Sequence, residues 1–236
     1  MSRRGLLIGG ALALAWVIGA PRLIRLTQPE FAFEDVPGLP GFRSLGLGRG
    51  PGNIALLGIG DTVPEPPRDP CAAIFGAGDG RLPVAVFTDY FCGYCPAVSD
   101  LVRRLDREGV IRAVWREWPV LGPRSEALAR VALAAAEQGG HDAVHAHLMR
   151  AGLRPGPAAL AELAARFNLD ANRLQRAAAS PAVSERIATT RTLAKQLGLP
   201  GTPGIAIGRT LTAGAITEDR LRRLVALEAE RGGCTA

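Results

Sequence analysis

The stretch that decides the fold runs from Leu82 to Cys95 and reads Leu-Pro-Val-Ala-Val-Phe-Thr-Asp-Tyr-Phe-Cys-Gly-Tyr-Cys. Its first seven residues are almost all apolar, which predicts a strand buried on both faces. After the second cysteine, the apolar residues Val98, Leu101, Val102 and Leu105 follow the spacing i, i+3, i+4, i+7. This spacing predicts one face of a helix. The Cys-x-x-Cys pair therefore lies where a buried strand passes into a helix.

The flanking sequence extends this pattern into a complete domain. Residues 110–118 predict a second strand, and strand, helix and strand form a parallel pair with a right-handed crossover. Downstream, helices are predicted over 123–140, 141–151, 157–167, 171–179 and 181–197, two short strands over 205–208 and 210–213, and a final amphipathic helix around 221–227. This order predicts an α/β protein of the thioredoxin fold (β-α-β … β-β-α) with a helical domain inserted at about 123–198.

The N-terminal part has a different composition. Arg3 and Arg4 precede an apolar stretch over 6–20, which is the pattern of a secretory signal. Pro21 follows directly and disfavours cleavage, so we expect the stretch to remain attached as an anchor. Residues 27–80 are rich in Gly and Pro and predict a linker with irregular loops, in which 54–59 could add an outer strand. The predicted organisation is a signal peptide or membrane anchor over 1–26, a Gly/Pro-rich linker over 27–80 and the thioredoxin domain over 81–231.

Composition excludes some classes of function. The 236 residues are 47% hydrophobic and 21% charged, as expected for a packed globular domain. The net charge is +6, but Arg3, Arg4, Arg22 and Arg25 carry four of the positive charges beside the N-terminal apolar stretch. No Lys/Arg run is interleaved with aromatic residues, so no nucleic-acid partner is expected.

The position of the Cys-x-x-Cys pair favours redox chemistry. Cys92 is expected at a helix N-terminus, where unpaired N–H groups and the helix dipole favour a thiolate, the reacting species. Cys95, one turn into the helix, could close a small disulfide ring with Cys92. Gly93 and Tyr94 lie between the two cysteines, where they would tune the redox potential, and we expect both to take part in substrate binding.

A metal site or a haem attachment site fits the sequence less well than a redox site does. A zinc site would need paired ligands, and His141 and His145, four residues apart, are read as a polar or half-buried helix face. Haem attachment would need a histidine where Pro96 stands. We therefore expect no metal and no cofactor. The remaining cysteines, Cys71 and Cys234, flank the domain, and an even number of cysteines in an exported protein predicts that these two form a structural disulfide.

Three blocks carry a family resemblance: Phe-Thr-Asp-Tyr-Phe-Cys-Gly-Tyr-Cys at 87–95, Arg-Glu-Trp-Pro-Val-Leu-Gly at 116–122, and Gly-Thr-Pro at 201–203. Over about residues 82–230 the chain resembles the DsbA-like family of bacterial periplasmic thiol–disulfide oxidoreductases. The resemblance implies that Cys92 is the nucleophile and Cys95 the resolving cysteine. It also implies that Pro203 follows a cis peptide bond beside the cysteines, and that Thr202 offers backbone groups to an extended substrate segment.

Two positions depart from the family pattern. Many relatives carry an acidic residue where this chain has Val86, and Gly93-Tyr94 replaces the Pro-His of strongly oxidising members and resembles the dipeptide of disulfide isomerases. The resemblance implies an exported enzyme that exchanges thiols and disulfides on secreted or periplasmic proteins. A disulfide isomerase or reductase of the same fold is an alternative, and a non-catalytic, membrane-anchored assembly or binding protein is another.

The expected partners and location follow from this resemblance. The partners are client proteins with cysteine thiols or disulfides, and a membrane or periplasmic redox protein that recharges the active site. The expected location is the periplasm, with a tether to the inner membrane through residues 5–20.

Overall fold

The computed structural model describes residues 31–47, 64–151 and 156–234. The predicted signal or anchor over 1–26 and the candidate strand at 54–59 lie outside these ranges. Among the described residues, no helix is long and apolar enough to cross a membrane. The strands and helices of the described ranges belong to the unit Phe33–Ala236.

In chain order the elements are β1 Phe33–Asp35, β2 Arg43–Leu45, α1 Pro70–Phe75, β3 Pro83–Thr88, α2 Cys95–Arg107, β4 Arg112–Glu117, α3 Pro123–Ala136, α4 His141–Ala151, α5 Pro157–Arg166, α6 Ala171–Ala178, α7 Pro181–Gln196, β5 Gly204–Ile207, β6 Thr210–Ala213 and α8 Glu218–Glu230. Within the described ranges, six strands form one sheet in the order β1-β2-β6-β5-β3-β4. The predicted order β-α-β, helices, β-β-α is therefore present.

The centre of the sheet is β3, and all six of its residues are buried. It pairs in parallel with β4 and antiparallel with β5, so that Val86 lies opposite Trp115 on one side and Ile205 on the other. Its apolar run follows from its burial, because both faces of the strand are shielded from water. The pairing also brings the start of β5 beside the end of β3, where Phe87 lies opposite Gly204.

The helical insertion packs as a second layer with its own apolar core. Leu128 of α3, Val144 of α4 and Leu174 of α6 are fully buried in one cluster that also contains Cys92 and Cys95. The helices begin where the sequence predicts them, for example at α7, where the Ser180 hydroxyl accepts a hydrogen bond from the Val183 N–H. The cysteines thus lie where the helical layer meets the sheet.

The linker interpretation of 27–80 is wrong for the described part of that stretch. Strands β1 and β2 extend the sheet, since β2 pairs in parallel with β6, and Ser44 lies opposite Leu211. Phe42 and Ile74 are buried in the core cluster that also holds Phe87. Strands β1 and β2 have three residues each, and helix α1, which contains Ile74, has six. Runs this short complete no helical or strand period, and the Gly and Pro residues around them dominate the composition of the stretch 27–80.

Cys71 and Cys234 form a disulfide, with their Cα atoms 5.4 Å apart. Cys71 lies in α1 and Cys234 follows α8, so the bond joins the helix before β3 to the C-terminal end of the described chain. It closes a sequence separation of 163 residues.

Candidate active site

The two central cysteines lie where the turn after β3 leads into α2, with Cys92 in the turn and Cys95 as the first residue of the helix. The Cys92 N–H donates to the Asp89 carbonyl and the Cys95 N–H donates to the Cys92 carbonyl, both over 3.2 Å. Helix α2 begins at Cys95, and Pro96 occupies its first turn, where a missing N–H costs no hydrogen bond. Cys92 therefore lies in the turn that leads into the helix, three residues before its first residue.

The two thiols differ in their access to solvent. Cys92 is 8% exposed and Cys95 is 0% exposed, and neither is in a disulfide in this structure. Burial, together with the neighbouring Cys92 thiol, raises the pKa of Cys95 to about 12. An incoming sulfur can thus reach Cys92, while Cys95 lies behind it and holds its proton at neutral pH.

A cis peptide bond lies beside Cys92. The Thr202–Pro203 bond is cis, and the Cys92 thiol donates to the Thr202 carbonyl oxygen over 3.2 Å. Pro203 directly precedes β5, and the pairing of β5 with β3 carries this segment to the cysteines. The structure thus brings Cys92, Cys95, Thr202 and Pro203 together.

Large apolar side chains are exposed around the cysteines. Gly93 and Tyr94 are both exposed, and so is the neighbouring Phe91. Val120 and Leu121, from the loop after β4, are exposed as well. Exposed apolar side chains that lie together mark a surface that binds another molecule.

Asp89 joins the two loops that carry this surface. One carboxylate oxygen accepts from the Phe91 N–H and the Ser125 hydroxyl, each over 2.8 Å. The other accepts from the Val120 and Leu121 N–H groups over 2.8 and 2.9 Å. Asp89 is buried, and these four hydrogen bonds satisfy its carboxylate. No local pattern in the sequence indicates a role for Asp89, because its partners lie up to 36 residues further along the chain.

A family model described as the DSBA-like thioredoxin domain matches residues 83–226, which include Cys92, Cys95 and Pro203. The chain belongs to this DsbA-like family. The match confirms both the resemblance and the fold predicted from the sequence. Members of the family are thiol–disulfide oxidoreductases that act on cysteine-containing client proteins.

Solved structures of similar proteins support the assignment. A thioredoxin-like oxidoreductase from Silicibacter pomeroyi DSS-3 is 34% identical, with a TM-score of 0.58 over 66% of this chain and 90% of that one. The thiol-disulfide exchange protein alpha-DsbA2 from Wolbachia pipientis is 24% identical, with a TM-score of 0.59 over 66% of this chain and 90% of that one. The catalytic domain of Proteus mirabilis ScsC is 22% identical, with a TM-score of 0.58 over 67% and 94% of the two chains. The last two show the fold alone.

A curated relative is matched over only a part of its length. The Na(+)/H(+) antiporter NhaA 3 of Salinispora tropica is 32% identical over 161 residues, which are 66% of this chain and 24% of that protein. This chain therefore spans about a quarter of that relative.

The difference in burial between Cys92 and Cys95 predicts the order in which the two thiols are alkylated. In the reduced protein, iodoacetamide is expected to label Cys92 first near neutral pH, because Cys95 is fully buried and its pKa is about 12. Labelling of Cys95 should rise only as the pH approaches that value. Peptide mapping by mass spectrometry across a pH series measures both rates, and faster labelling of Cys95 would overturn the assignment of nucleophile and resolving cysteine.

A second polar cluster, called here the cluster behind α2, joins side chains of α2, β4 and α4 and was not predicted from the sequence. The sequence suggested a polar or half-buried helix face for His141 and His145, but His145 is completely buried and both rings contact Glu117. Burial alone would raise the pKa of Glu117, but hydrogen bonds with the two imidazoles outweigh it and lower the pKa to about 2. Tyr90 and Ser99 complete the cluster.

Proposed function

We propose that this chain is an exported thiol–disulfide oxidoreductase that acts on secreted or periplasmic proteins through Cys92 and Cys95. The observation that carries the proposal is the arrangement of three groups. The sulfur of Cys92, a residue that is 8% exposed, lies 3.2 Å from the Thr202 carbonyl oxygen, Pro203 follows in a cis peptide bond, and the fully buried Cys95 lies three residues after Cys92.

In the oxidising direction, a client thiolate attacks the Cys92 sulfur of a Cys92–Cys95 disulfide. The bond between the two cysteines breaks, and its electron pair leaves with Cys95, which takes up a proton because its pKa is about 12. A second client thiolate then attacks the client sulfur in the mixed disulfide. The client disulfide forms and Cys92 leaves as the thiolate, so two electrons have moved from client to enzyme.

The surface around Cys92 supports a protein as the substrate. The Thr202 carbonyl and the segment before β5 offer main-chain groups to an extended client segment, as in β-strand addition. The exposed side chains of Tyr94, Val120 and Leu121 provide apolar contact. Val120 also lines an open cleft of about 750 Å³ whose other residues include Trp118 and Pro119. Gly93, which has no side chain, leaves the approach to Cys92 open.

The direction of exchange depends on the redox potential of the couple and on the protein that recharges it, for which we propose a membrane or periplasmic redox partner. A potential near the ~−120 mV of DsbA would make the enzyme an oxidase, and one near the ~−270 mV of thioredoxin would make it a reductase. Insulin reduction and the refolding of scrambled ribonuclease test for catalysis itself. Inactivity in both assays, with a correctly folded protein, would favour a non-catalytic assembly protein.

The proposed location is the periplasm, with residues 5–20 as a tether to the inner membrane. The Cys71–Cys234 disulfide supports an exported protein, because structural disulfides persist in oxidising compartments and are rare in the cytosol. The basic residues before the apolar stretch at 6–20 support export independently.

A further inference from the structure

The cluster behind α2 contains three metal-binding side chains on two elements. Glu117 is the last residue of β4, His141 is the first residue of α4, and His145 follows one turn later. One ligand atom from each side chain lies within 4.8 Å of the others. The His141 Nε2 is 3.1 Å and the His145 Nδ1 is 3.2 Å from the same Glu117 oxygen, Oε1.

These spacings fit a tetrahedral metal ion. Zinc binds imidazole nitrogen and carboxylate oxygen at ~2.0–2.1 Å, which places two ligand atoms of a tetrahedron ~3.3–3.4 Å apart. The two nitrogen–oxygen distances in the cluster are 3.1 and 3.2 Å. Two histidines and one carboxylate form the three-ligand set of sites that keep a fourth position for water or another ligand.

One oxygen of the Glu117 carboxylate has no hydrogen-bond partner among the described residues. Glu117 is 1% exposed, and this oxygen is Oε2, whereas Oε1 accepts from the Tyr90 hydroxyl over 2.8 Å. A buried carboxylate oxygen without a partner is costly. A cation beside Glu117 would offset this cost, because a carboxylate can bind a metal through either oxygen or both.

The groups around the histidines suit metal binding as well. Ser99 Oγ lies 3.1 Å from the His145 Nε2. If this nitrogen donates its proton to Ser99, the lone pair of Nδ1 faces Glu117, which is how an outer hydrogen bond orients a metal-bound histidine. Trp115 stacks on the same ring, with centroids 4.2 Å apart, and holds its plane. The His141 side chain is 18% exposed, so an ion can enter from its side.

We propose that Glu117, His141 and His145 bind a divalent transition-metal ion of the zinc type, at a site separate from the cysteine pair. Neutral imidazoles and a carboxylate are ligands that such ions accept. The ion would replace the hydrogen bonds that now join both histidines to Glu117. The site would link the end of β4 to the first turns of α4.

The test uses the oxidised protein, in which Cys92 and Cys95 form a disulfide and offer no thiolate to the metal. Co²⁺ is the probe, and the readouts are its visible absorption bands and calorimetric titration, with Zn²⁺ as competitor. We expect one Co²⁺ per chain with bands typical of a four- or five-coordinate nitrogen and oxygen site. His141→Ala should weaken binding by more than ~100-fold, and Ser99→Ala, which removes an outer hydrogen bond, by ~10-fold.

His147→Ala is the matched control. His147 lies on the same helix, packs against Phe167 and takes no part in the cluster, so its loss should leave binding unchanged. Thermal melting without metal checks that each variant folds, and Glu117→Gln, which keeps the shape of the side chain, is a second variant. An absence of stoichiometric binding to the wild type, or binding that His141→Ala and Glu117→Gln leave unchanged, would overturn the proposal.

The test is independent of the proposed redox function. The variant Cys92→Ser/Cys95→Ser should bind Co²⁺ as the wild type does, although it is inactive in thiol–disulfide exchange.

Discussion

Cys92→Ser is expected to lower the rate of thiol–disulfide exchange by about a thousandfold or more, to the uncatalysed level, because a serine hydroxyl cannot form the mixed disulfide. Insulin reduction with purified protein measures the loss. The matched variant Cys95→Ser keeps the Cys92 thiol and its contact with the Thr202 carbonyl. It should react once with a client and then stop, since it lacks the intramolecular exit from the mixed disulfide.

The two variants differ most clearly in what they trap. In the wild type, Cys95 lies next to Cys92 and acts at a very high effective concentration, so mixed disulfides are short-lived. Cys95→Ser should therefore accumulate higher-mass species on non-reducing gels of exported extracts, and reductant should remove them. The double variant Cys92→Ser/Cys95→Ser should show none. Bands that persist without Cys92 would identify Cys71 or Cys234 as the reactive thiol and overturn the proposed active site.

Removing the Cys71–Cys234 disulfide should lower the free energy of unfolding more than removing the Cys92–Cys95 disulfide. The variant Cys71→Ala/Cys234→Ala opens a loop of 163 residues, for which the chain-entropy model gives a loss of about 5 kcal/mol in the free energy of unfolding. This is a large part of the stability of a typical domain. Urea denaturation followed by circular dichroism measures the change against the oxidised wild type.

The control for this prediction is Cys92→Ser/Cys95→Ser. Its lost ring spans only four residues, so the same model gives a smaller change of about 2 kcal/mol. A Cys71→Ala/Cys234→Ala variant as stable as the wild type would contradict a structural role for that bond.

The parts of the fold that the sequence predicts are those with long or unambiguous patterns. The apolar run of β3 reflects burial on both faces, and the start of α7 follows from Ser180 and Pro181 at its first positions. Strands β1 and β2, with three residues each, carry no such pattern. Strand β2 pairs with β6, more than 160 residues away, and β1 pairs with β2. Only the tertiary structure brings those partners together.

In the candidate active site, too, some residues are recognised from a local sequence motif and others only from the tertiary structure. The cysteine pair and Thr202-Pro203 are visible as motifs, and the fold brings them to one place. Asp89 looks like an ordinary loop carboxylate, because nothing local indicates that Val120 and Leu121 will donate to it. The cluster behind α2 was missed for the same reason. The spacing of His141 and His145 is visible in the sequence, but the carboxylate between them, Glu117, comes from another element.

Cys92 and Cys95 are expected to form one reversible two-electron couple. Its most direct test is to equilibrate the wild-type protein in a series of glutathione redox buffers, quench with acid, alkylate the free thiols and map the peptides by mass spectrometry. We predict that Cys92 and Cys95 change together between two thiols and one disulfide, while the Cys71–Cys234 bond stays oxidised at the potentials where the active pair is half reduced. If Cys92 and Cys95 never form a disulfide with each other, or if Cys71 and Cys234 are the pair that responds to the buffer, Cys92 and Cys95 are not the redox-active pair.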